Sequence, residues 1–120
     1  MSGGNPFEDC LKEYRELQKQ VAKLQSGAGQ ANTQIMENEM VLKELGLLEE
    51  DAQVFKLIGP VLVKQELVEV KTNVSKRIEF IKNDISRLEN NVKAKEKEQQ
   101  AVSSKIQQMQ KQQAEATGGQ

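Results

Sequence analysis

Side chains capable of covalent or acid–base chemistry are few in this sequence. It contains no histidine, which excludes Ser-His-Asp and Cys-His arrangements for nucleophilic catalysis. Its one cysteine, Cys10, cannot form an internal disulfide and, without histidine, cannot build a zinc site. Asp and Glu residues are plentiful, but they fall on predicted helical surface with no pocket to hold a substrate. We therefore expect neither enzyme activity nor a metal site.

A second candidate for ligand chemistry is the glycine pair in Gly27-Ala28-Gly29. The sequence contains neither G-x-x-x-x-G-K-[ST] nor G-x-G-x-x-G, the loops that cradle phosphates. The pair lies inside a helical repeat whose register is the same on both sides of it. We therefore expect a continuous helix at this point, weakened by about 1 kcal/mol per glycine, and no nucleotide or other cofactor.

Composition restricts the possible partners and the architecture. The chain has 120 residues, enough for one domain. Its 37% hydrophobic, 3% aromatic and 29% charged residues are lean for a globular core and typical of a coiled coil. A net charge of −1 gives no field that attracts nucleic acid or an anionic membrane. No secretory signal and no run of about 20 apolar residues occurs. These features predict a cytoplasmic protein that binds neither membrane nor nucleic acid.

The elements that must carry any function are organised around the segment from Val54 to Leu67. Two runs rich in apolar residues flank Gly59-Pro60, and inward and outward positions alternate along each of them, which predicts a β-hairpin over residues 53–64, although the turn type stays open. An isolated two-stranded hairpin is at best marginally stable in water. We therefore expect this hairpin to pair with strands of other subunits. The predicted assembly residues are Val54, Phe55, Leu57, Ile58, Val61, Leu62 and Val63.

Long helices are predicted on both sides of the hairpin, over residues 7–48 and 65–115. In the first, apolar residues recur in alternating steps of three and four, the heptad rule of a coiled coil. Asn5 is a plausible N-cap, and Asn38 falls on the apolar seam. Asn38 is either a buried polar device that fixes the register or a tolerated, partly wet position. Residues 1–6 and 117–120 are predicted to be disordered tails.

The two heptad patterns match each other as an antiparallel pair. Opposed residues have numbers that add to 112 or 113, as for Leu42 with Val70 and Leu24 with Leu88. Two unrelated helices would not agree in this way over many turns. The predicted fold is mainly α, a long antiparallel two-helix coiled coil joined by a single β-hairpin. Its predicted seam consists of Val21, Leu24, Ile35, Leu42, Val70, Ile78, Ile81, Ile85, Leu88 and Val92.

The predicted seam contains polar residues where Leu17 opposes Lys95, and it is apolar again between this point and the ends of the helices far from the hairpin. A weak section followed by an apolar tip predicts helices that can separate and expose a binding surface. Met109 has no partner on the first helix, and a flexible thioether suits varied apolar partners. Alternatively, these residues only close the end of the coiled coil. The predicted binding residues are Phe7, Leu11, Tyr14, Val102, Ile106 and Met109.

Three segments resemble the β-type subunits of the prefoldin family. The most specific is the linker Phe55-Lys-Leu-Ile-Gly-Pro-Val-Leu-Val-Lys-Gln-Glu-Leu67. The others are Lys76-Arg-Ile-Glu-Phe-Ile81 and the run from Glu37-Asn38 to Glu44-Leu45. The resemblance implies a β-type domain over residues 7–116 whose hairpin joins an oligomeric β-barrel body.

The resemblance also implies a function and partners. The partners would be other prefoldin subunits in a hetero-hexamer of two α-type and four β-type chains. The arms would capture unfolded polypeptides such as actin and tubulin without ATP and deliver them to the cytosolic group II chaperonin.

Two other classes of protein share part of this pattern. A structural coiled-coil adaptor or tethering subunit would explain the heptads, but not the apolar hairpin at the bend. A basic-helix nucleic-acid binder would need an excess of positive charge, which the balance of charges disfavours. The ability to keep a denatured protein soluble would separate a chaperone subunit from an adaptor.

Overall fold

The fold consists of two long helices with one antiparallel hairpin between them in sequence. A computed structural model describes residues 4–118. Helix α1 spans Pro6–Gly46, strands β1 and β2 span Val54–Ile58 and Val61–Gln65, and helix α2 spans Leu67–Gly118. This confirms the predicted mainly helical class. Helix α1 runs without interruption through Gly27 and Gly29, as the unbroken heptad register predicted.

The start of α1 is fixed by Asn5. Its Oδ1 accepts hydrogen bonds from the backbone N–H of Phe7 at 3.1 Å and of Glu8 at 3.3 Å. Two amides that the first helical turn leaves unpaired are thereby satisfied. Pro6 is the first helical residue, where its missing N–H costs nothing. The helix therefore begins one residue before the predicted boundary. Residues 1–3 of the predicted N-terminal tail lie outside the described part of the chain.

The inner ends of the two helices differ slightly from the prediction. Helix α1 ends at Gly46 rather than at residue 48, because the amides of Leu47 and Leu48 bond three residues back, to Glu44 and Leu45. Such bonds tighten the backbone into a turn that leaves the α-helical path. Helix α2 begins at Leu67 rather than at residue 65, because Gln65 still pairs with Val54 in the hairpin.

The far end of α2 extends beyond the prediction. The helix continues to Gly118, although residues 117–118 were assigned to a disordered tail, and residues 119–120 lie outside the described part. Residues 112–116, just before Thr117 and Gly118, are Gln-Gln-Ala-Glu-Ala, good helix formers that support the helix up to this point.

The chain divides into two compact units. The hairpin unit spans Ala28–Arg87, and its helices pack through a cluster of buried isoleucines, Ile35, Ile78, Ile81 and Ile85. Ala31, Leu42 and Val74 are partly buried against this cluster. Ile35 from α1 thus meets three isoleucines of α2 within the unit, and the small Ala31 leaves room for their bulk.

The terminal unit contains the residues up to Gly27 and from Leu88 onward. Its buried cluster joins Cys10 and Leu17 of α1 to Val102 of α2. Tyr14, Ile106 and Met109 pack against it. Among the predicted seam residues of this unit, Val21 is buried, whereas Leu24, Leu88 and Val92 are half-buried. In the hairpin unit Val70 is also half-buried.

Asn38 is the polar residue on the seam. It is half-buried, and its Nδ2 donates a hydrogen bond of 2.7 Å to the backbone carbonyl of Gln34, one turn earlier in the same helix. A side chain bonded within its own helix does not set the register with the other helix. This geometry favours the partly wet position over the register device.

Candidate functional site

The hairpin register assigns each strand residue to one of two faces. Val54 pairs with Gln65, Lys56 with Val63 and Ile58 with Val61, while Phe55 pairs with Lys64 and Leu57 with Leu62. Directly opposed residues share a face, and successive residues alternate between faces. One face therefore carries Val54, Lys56, Ile58, Val61, Val63 and Gln65, and the other carries Phe55, Leu57, Leu62 and Lys64.

Both faces of this hairpin are apolar and open to solvent. Val54 is half-buried, and the other six predicted assembly residues are among the exposed large hydrophobic side chains. A sheet with one solvated face would show polar residues on that face. We call the seven side chains the hairpin surface. A pair of strands that other protein covers on both sides needs two apolar faces, and the hairpin surface has them.

The hairpin turn is formed by Gly59 and Pro60. Gly59 has φ +57°, a left-handed value that residues with a Cβ rarely adopt. Proline holds φ near −65°, so two positive φ values, as in a type I′ turn, are excluded. Glycine at the first central position followed by a negative φ corresponds to type II′, whose twist matches that of the strands. The structure thus identifies the turn that the sequence left open.

A shallow groove lies in the terminal unit, between the start of α1 and the late part of α2. We call it the terminal groove; Asn5, Pro6, Phe7, Met109, Gln112, Gln113 and Ala116 line it. It brings together two predicted binding residues from opposite ends of the sequence, Phe7 and Met109. The apolar floor and amide rim could hold an apolar side chain while hydrogen bonding to a peptide backbone.

The other predicted binding residues are packed rather than open. Val102 is only 6% exposed. Leu11, Tyr14 and Ile106 are half-buried, as are Phe7 and Met109. Leu17, expected to mark a weak section opposite Lys95, is buried in the same cluster as Val102. In this structure the helices of the terminal unit are closed at that level.

Two exposed apolar residues were missed by the sequence reasoning. Met36 lies on α1 and Phe80 on α2, and both are about two-thirds exposed. They stand off the heptad seam, and the search for seam and hairpin residues passed over them. Their position in the heptad pattern could have identified them, since a large apolar residue off the seam of a coiled coil has no packing role within the pair of helices.

Neither helix contains an apolar stretch long enough to cross a membrane, within the residues that the structure describes. Over the same residues, no group of three or more His, Cys, Asp or Glu side chains is arranged to hold a metal ion. The candidate functional surfaces are therefore the hairpin surface, the terminal groove and the exposed outer faces of the helices.

Comparison with known proteins places the chain in a family. The family model described as a prefoldin subunit matches residues 8–113, which is most of the sequence. The chain belongs to the prefoldin subunit family. The match includes both helices' paired segments and the hairpin. Membership in a family of subunits implies assembly with other prefoldin subunits.

Among the similar curated proteins are several named prefoldin subunit 6. The one from Arabidopsis thaliana is 49% identical over 83 residues, covering 69% of this chain and 64% of the relative. The one from Mus musculus is 39% identical over 100 residues, covering 83% of this chain and 79% of the relative. The one from Saccharomyces cerevisiae is 38% identical over 94 residues, covering 78% and 82%. These names agree with the resemblance of the linker to the prefoldin family.

A solved prefoldin structure shares the fold. The crystal structure of the prefoldin beta subunit from Thermococcus strain KS-1 matches with a TM-score of 0.80, covering 91% of this chain and 96% of that one. The sequence identity is 21%. At this identity the likeness supports the prefoldin beta-subunit fold of two long helices and one hairpin.

Proposed function

We propose that this prefoldin subunit is a β-type component of an ATP-independent cytosolic co-chaperone. It assembles through its hairpin with other prefoldin subunits, in a hetero-hexamer of two α-type and four β-type chains. The pooled hairpins form a β-barrel body. The terminal units capture unfolded polypeptides, actin- and tubulin-like proteins among them, for delivery to the group II chaperonin.

The observation that carries the assembly part is the hairpin surface. Six large apolar side chains are exposed on a hairpin of two strands, and among residues 4–118 no further strand pairs with its outer edges. An exposed, flat, apolar strand edge is an aggregation hazard unless another strand pairs with it. Pairing with strands of other subunits satisfies the edges and covers both faces, which is how a barrel removes its edges.

The client part rests on the terminal groove. The groove opens beside a cluster that contains no charged side chain, and half-buried Phe7 and Met109 form its apolar lining. Separation of the two helices at this level would add Val102 and Ile106 to the surface. Each groove is small, so each contact is weak, and several terminal units acting together supply avidity while each contact stays reversible.

The test is a truncation in the assembled complex. Residues 1–14 and 102–120 are removed, which deletes the groove and leaves the hairpin unit intact. Native mass spectrometry should show the complex still assembled, while aggregation of denatured actin should no longer be suppressed. If all β-type subunits of the complex are truncated in this way and actin is still captured undiminished, the client site lies elsewhere. A full-length complex that never keeps denatured actin soluble would favour the structural adaptor.

A further inference from the structure

A pocket lies between the hairpin and the early part of α2, within the hairpin unit. Its volume is about 280 Å³. The side chains of Val70 and Val74 in its wall are half-buried, whereas those of Lys56 and Arg77 are exposed. We call it the cationic pocket; its lining consists of Lys56, Gln65, Val70, Asn73, Val74 and Arg77.

The cationic pocket combines residues from three elements. Lys56 of β1 and Gln65 of β2 lie on the same face of the hairpin by their register. The α2 residues at positions 70, 73, 74 and 77 recur in steps of three and four, so they share one side of that helix. The hairpin face that carries Lys56 thus borders this side of α2, and two cations from separate elements line one pocket.

Every polar group in the lining can donate a hydrogen bond, and no carboxylate is among the lining residues. Arg77 offers a planar guanidinium fork, Lys56 an ammonium group, and Gln65 and Asn73 their side-chain amides. Over residues 4–118, neither cation takes part in an ion pair. Two uncompensated positive charges with amide donors beside them favour an anionic oxygen ligand, and the guanidinium fork matches a carboxylate.

The other lysine of the hairpin lies in different surroundings. Lys64 belongs to the opposite face and lines a second cleft together with Glu50, Asp51 and Glu66. Carboxylates of its own chain are therefore close to Lys64, whereas the pocket of Lys56 contains none. Of the two lysines, only Lys56 depends on a counter-charge from outside the chain.

Assembly through the hairpin would make that dependence important. Lys56 shares its face with Ile58, Val61 and Val63, which are exposed apolar residues that the proposed assembly covers. A cation that is removed from water is strongly destabilising unless an opposite charge pairs with it. The chain that covers the apolar residues is therefore expected to bring the carboxylate that the cationic pocket lacks.

We propose that the cationic pocket receives an Asp or Glu side chain of the adjacent subunit that covers this face of the hairpin. Arg77 binds the carboxylate in a bidentate manner, and Lys56 supplies the second positive charge. A neighbour with a neutral residue at this point would leave both cations unpaired, so the pocket also discriminates between possible neighbours. This inference rests on the proposed assembly through the hairpin.

The test is carbodiimide cross-linking of the complete complex, since this reagent joins an amine directly to a carboxylate in contact with it. Peptides linked through Lys56 are identified by mass spectrometry. The expected product joins Lys56 to an Asp or Glu of another polypeptide, either a different subunit or a second copy of this chain. Mixed isotopic labelling separates a link between two copies from a link within one. Lys64, with carboxylates of its own chain nearby, is the internal control for the reaction.

Removing the guanidinium provides a second arm of the same experiment. Arg77→Gln should lower the yield of the Lys56 product several-fold, because the carboxylate loses its bidentate partner. Lys82→Gln removes the same charge from an exposed position of α2 outside the pocket and should leave the yield unchanged. An unchanged yield in Arg77→Gln would refute a role for Arg77 in holding the carboxylate.

Assembly itself gives a third readout. Lys56→Glu should raise the fraction of free subunit several-fold in native mass spectrometry, because two carboxylates would then meet in the pocket. Lys56→Arg keeps the charge and should assemble normally, as should Lys82→Glu, the same reversal outside the pocket.

The remaining outcomes separate this inference from the proposed function. If the complex is intact and Lys64 reacts, the inference is overturned when Lys56 gives no product, links only within its own chain, or links only to bound client. Full assembly of Lys56→Glu would overturn it as well. Absence of the wild-type complex would instead count against assembly through the hairpin.

Discussion

Leu57 and Leu62 oppose each other directly across the hairpin, and they are 67% and 65% exposed. A cross-strand leucine pair contributes its packing only when something covers it. The next pair toward the turn, Ile58 with Val61, lies on the opposite face and is also exposed, at 54% and 55%. A neighbouring subunit that covered only one face of the hairpin would therefore leave one of these two apolar pairs exposed.

The first prediction concerns both faces of the hairpin. Leu57→Asp with Leu62→Asp, and separately Ile58→Asp with Val61→Asp, should each release free subunit, because an unpaired buried charge costs about 3–5 kcal/mol. Native mass spectrometry of the purified complex measures the release. Gln53→Asp, which adds a carboxylate just before β1, is the matched control and should leave assembly intact. Full assembly of either double variant would show that the face it changes is not buried between subunits. Phe55→Asp with Val63→Asp changes one residue on each face, and full assembly of this variant would contradict the burial of both residues.

The second prediction concerns the isoleucine cluster of the hairpin unit. Ile81→Ala should cost about 2–5 kcal/mol of local stability, because it removes a buried side chain and leaves a cavity. Amide hydrogen exchange in the assembled complex should rise around Ile81 and also around Ile35, its neighbour in the cluster on α1. Phe80→Ala, one residue away but exposed, should have little effect on exchange within the cluster. Faster exchange in α2 with α1 unchanged would contradict the pairing of the helices.

The third prediction compares two glycines. Gly29 is helical, and a Cβ added to it would meet no atom within 4 Å. Gly29→Ala should therefore stabilise the protein by about 0.5–1 kcal/mol. Gly59 has equal space but φ +57°, so Gly59→Ala should destabilise it by about 1–2 kcal/mol. Thermal unfolding of the two variants in the same complex should shift in opposite directions, and a shared direction would refute the assignment of backbone conformation.

The fourth prediction separates binding from packing in the terminal unit. Phe7→Ser with Met109→Ser should reduce suppression of actin aggregation while the complex stays assembled, because both side chains line the groove. Gln112→Ser, on the rim of the same groove, should have a smaller effect. Val102→Ala should instead raise local amide exchange, since Val102 is buried with Cys10 and Leu17. Normal capture by the Phe7 and Met109 double variant would favour the view that these residues only close the end of the helices.

The predicted binding set shows where sequence reasoning reaches its limit. Heptad spacing identified Val102 and Met109 as apolar positions near the chain end, but spacing does not distinguish a packed residue from an accessible one. Val102 proved to be buried, whereas Met109 also lines a groove with Phe7. The difference depends on which side chains of the other helix stand opposite, and that follows from three-dimensional packing rather than from periodicity.

The sequence by itself determined which helices and strands form and which of them pair with each other. The 3–4 spacing of apolar residues specified two helices, the matching numbers of Ile35 and Ile78 specified their antiparallel register, and Gly59-Pro60 specified the bend. These are local or periodic properties, written into the order of residues. Tertiary structure alone decided the helix ends, the type II′ turn, the division of the hairpin residues between two apolar faces, and the outward position of Phe80. Each of these depends on backbone angles, on cross-strand register or on exposure, quantities that exist only once separate segments of the chain have come together.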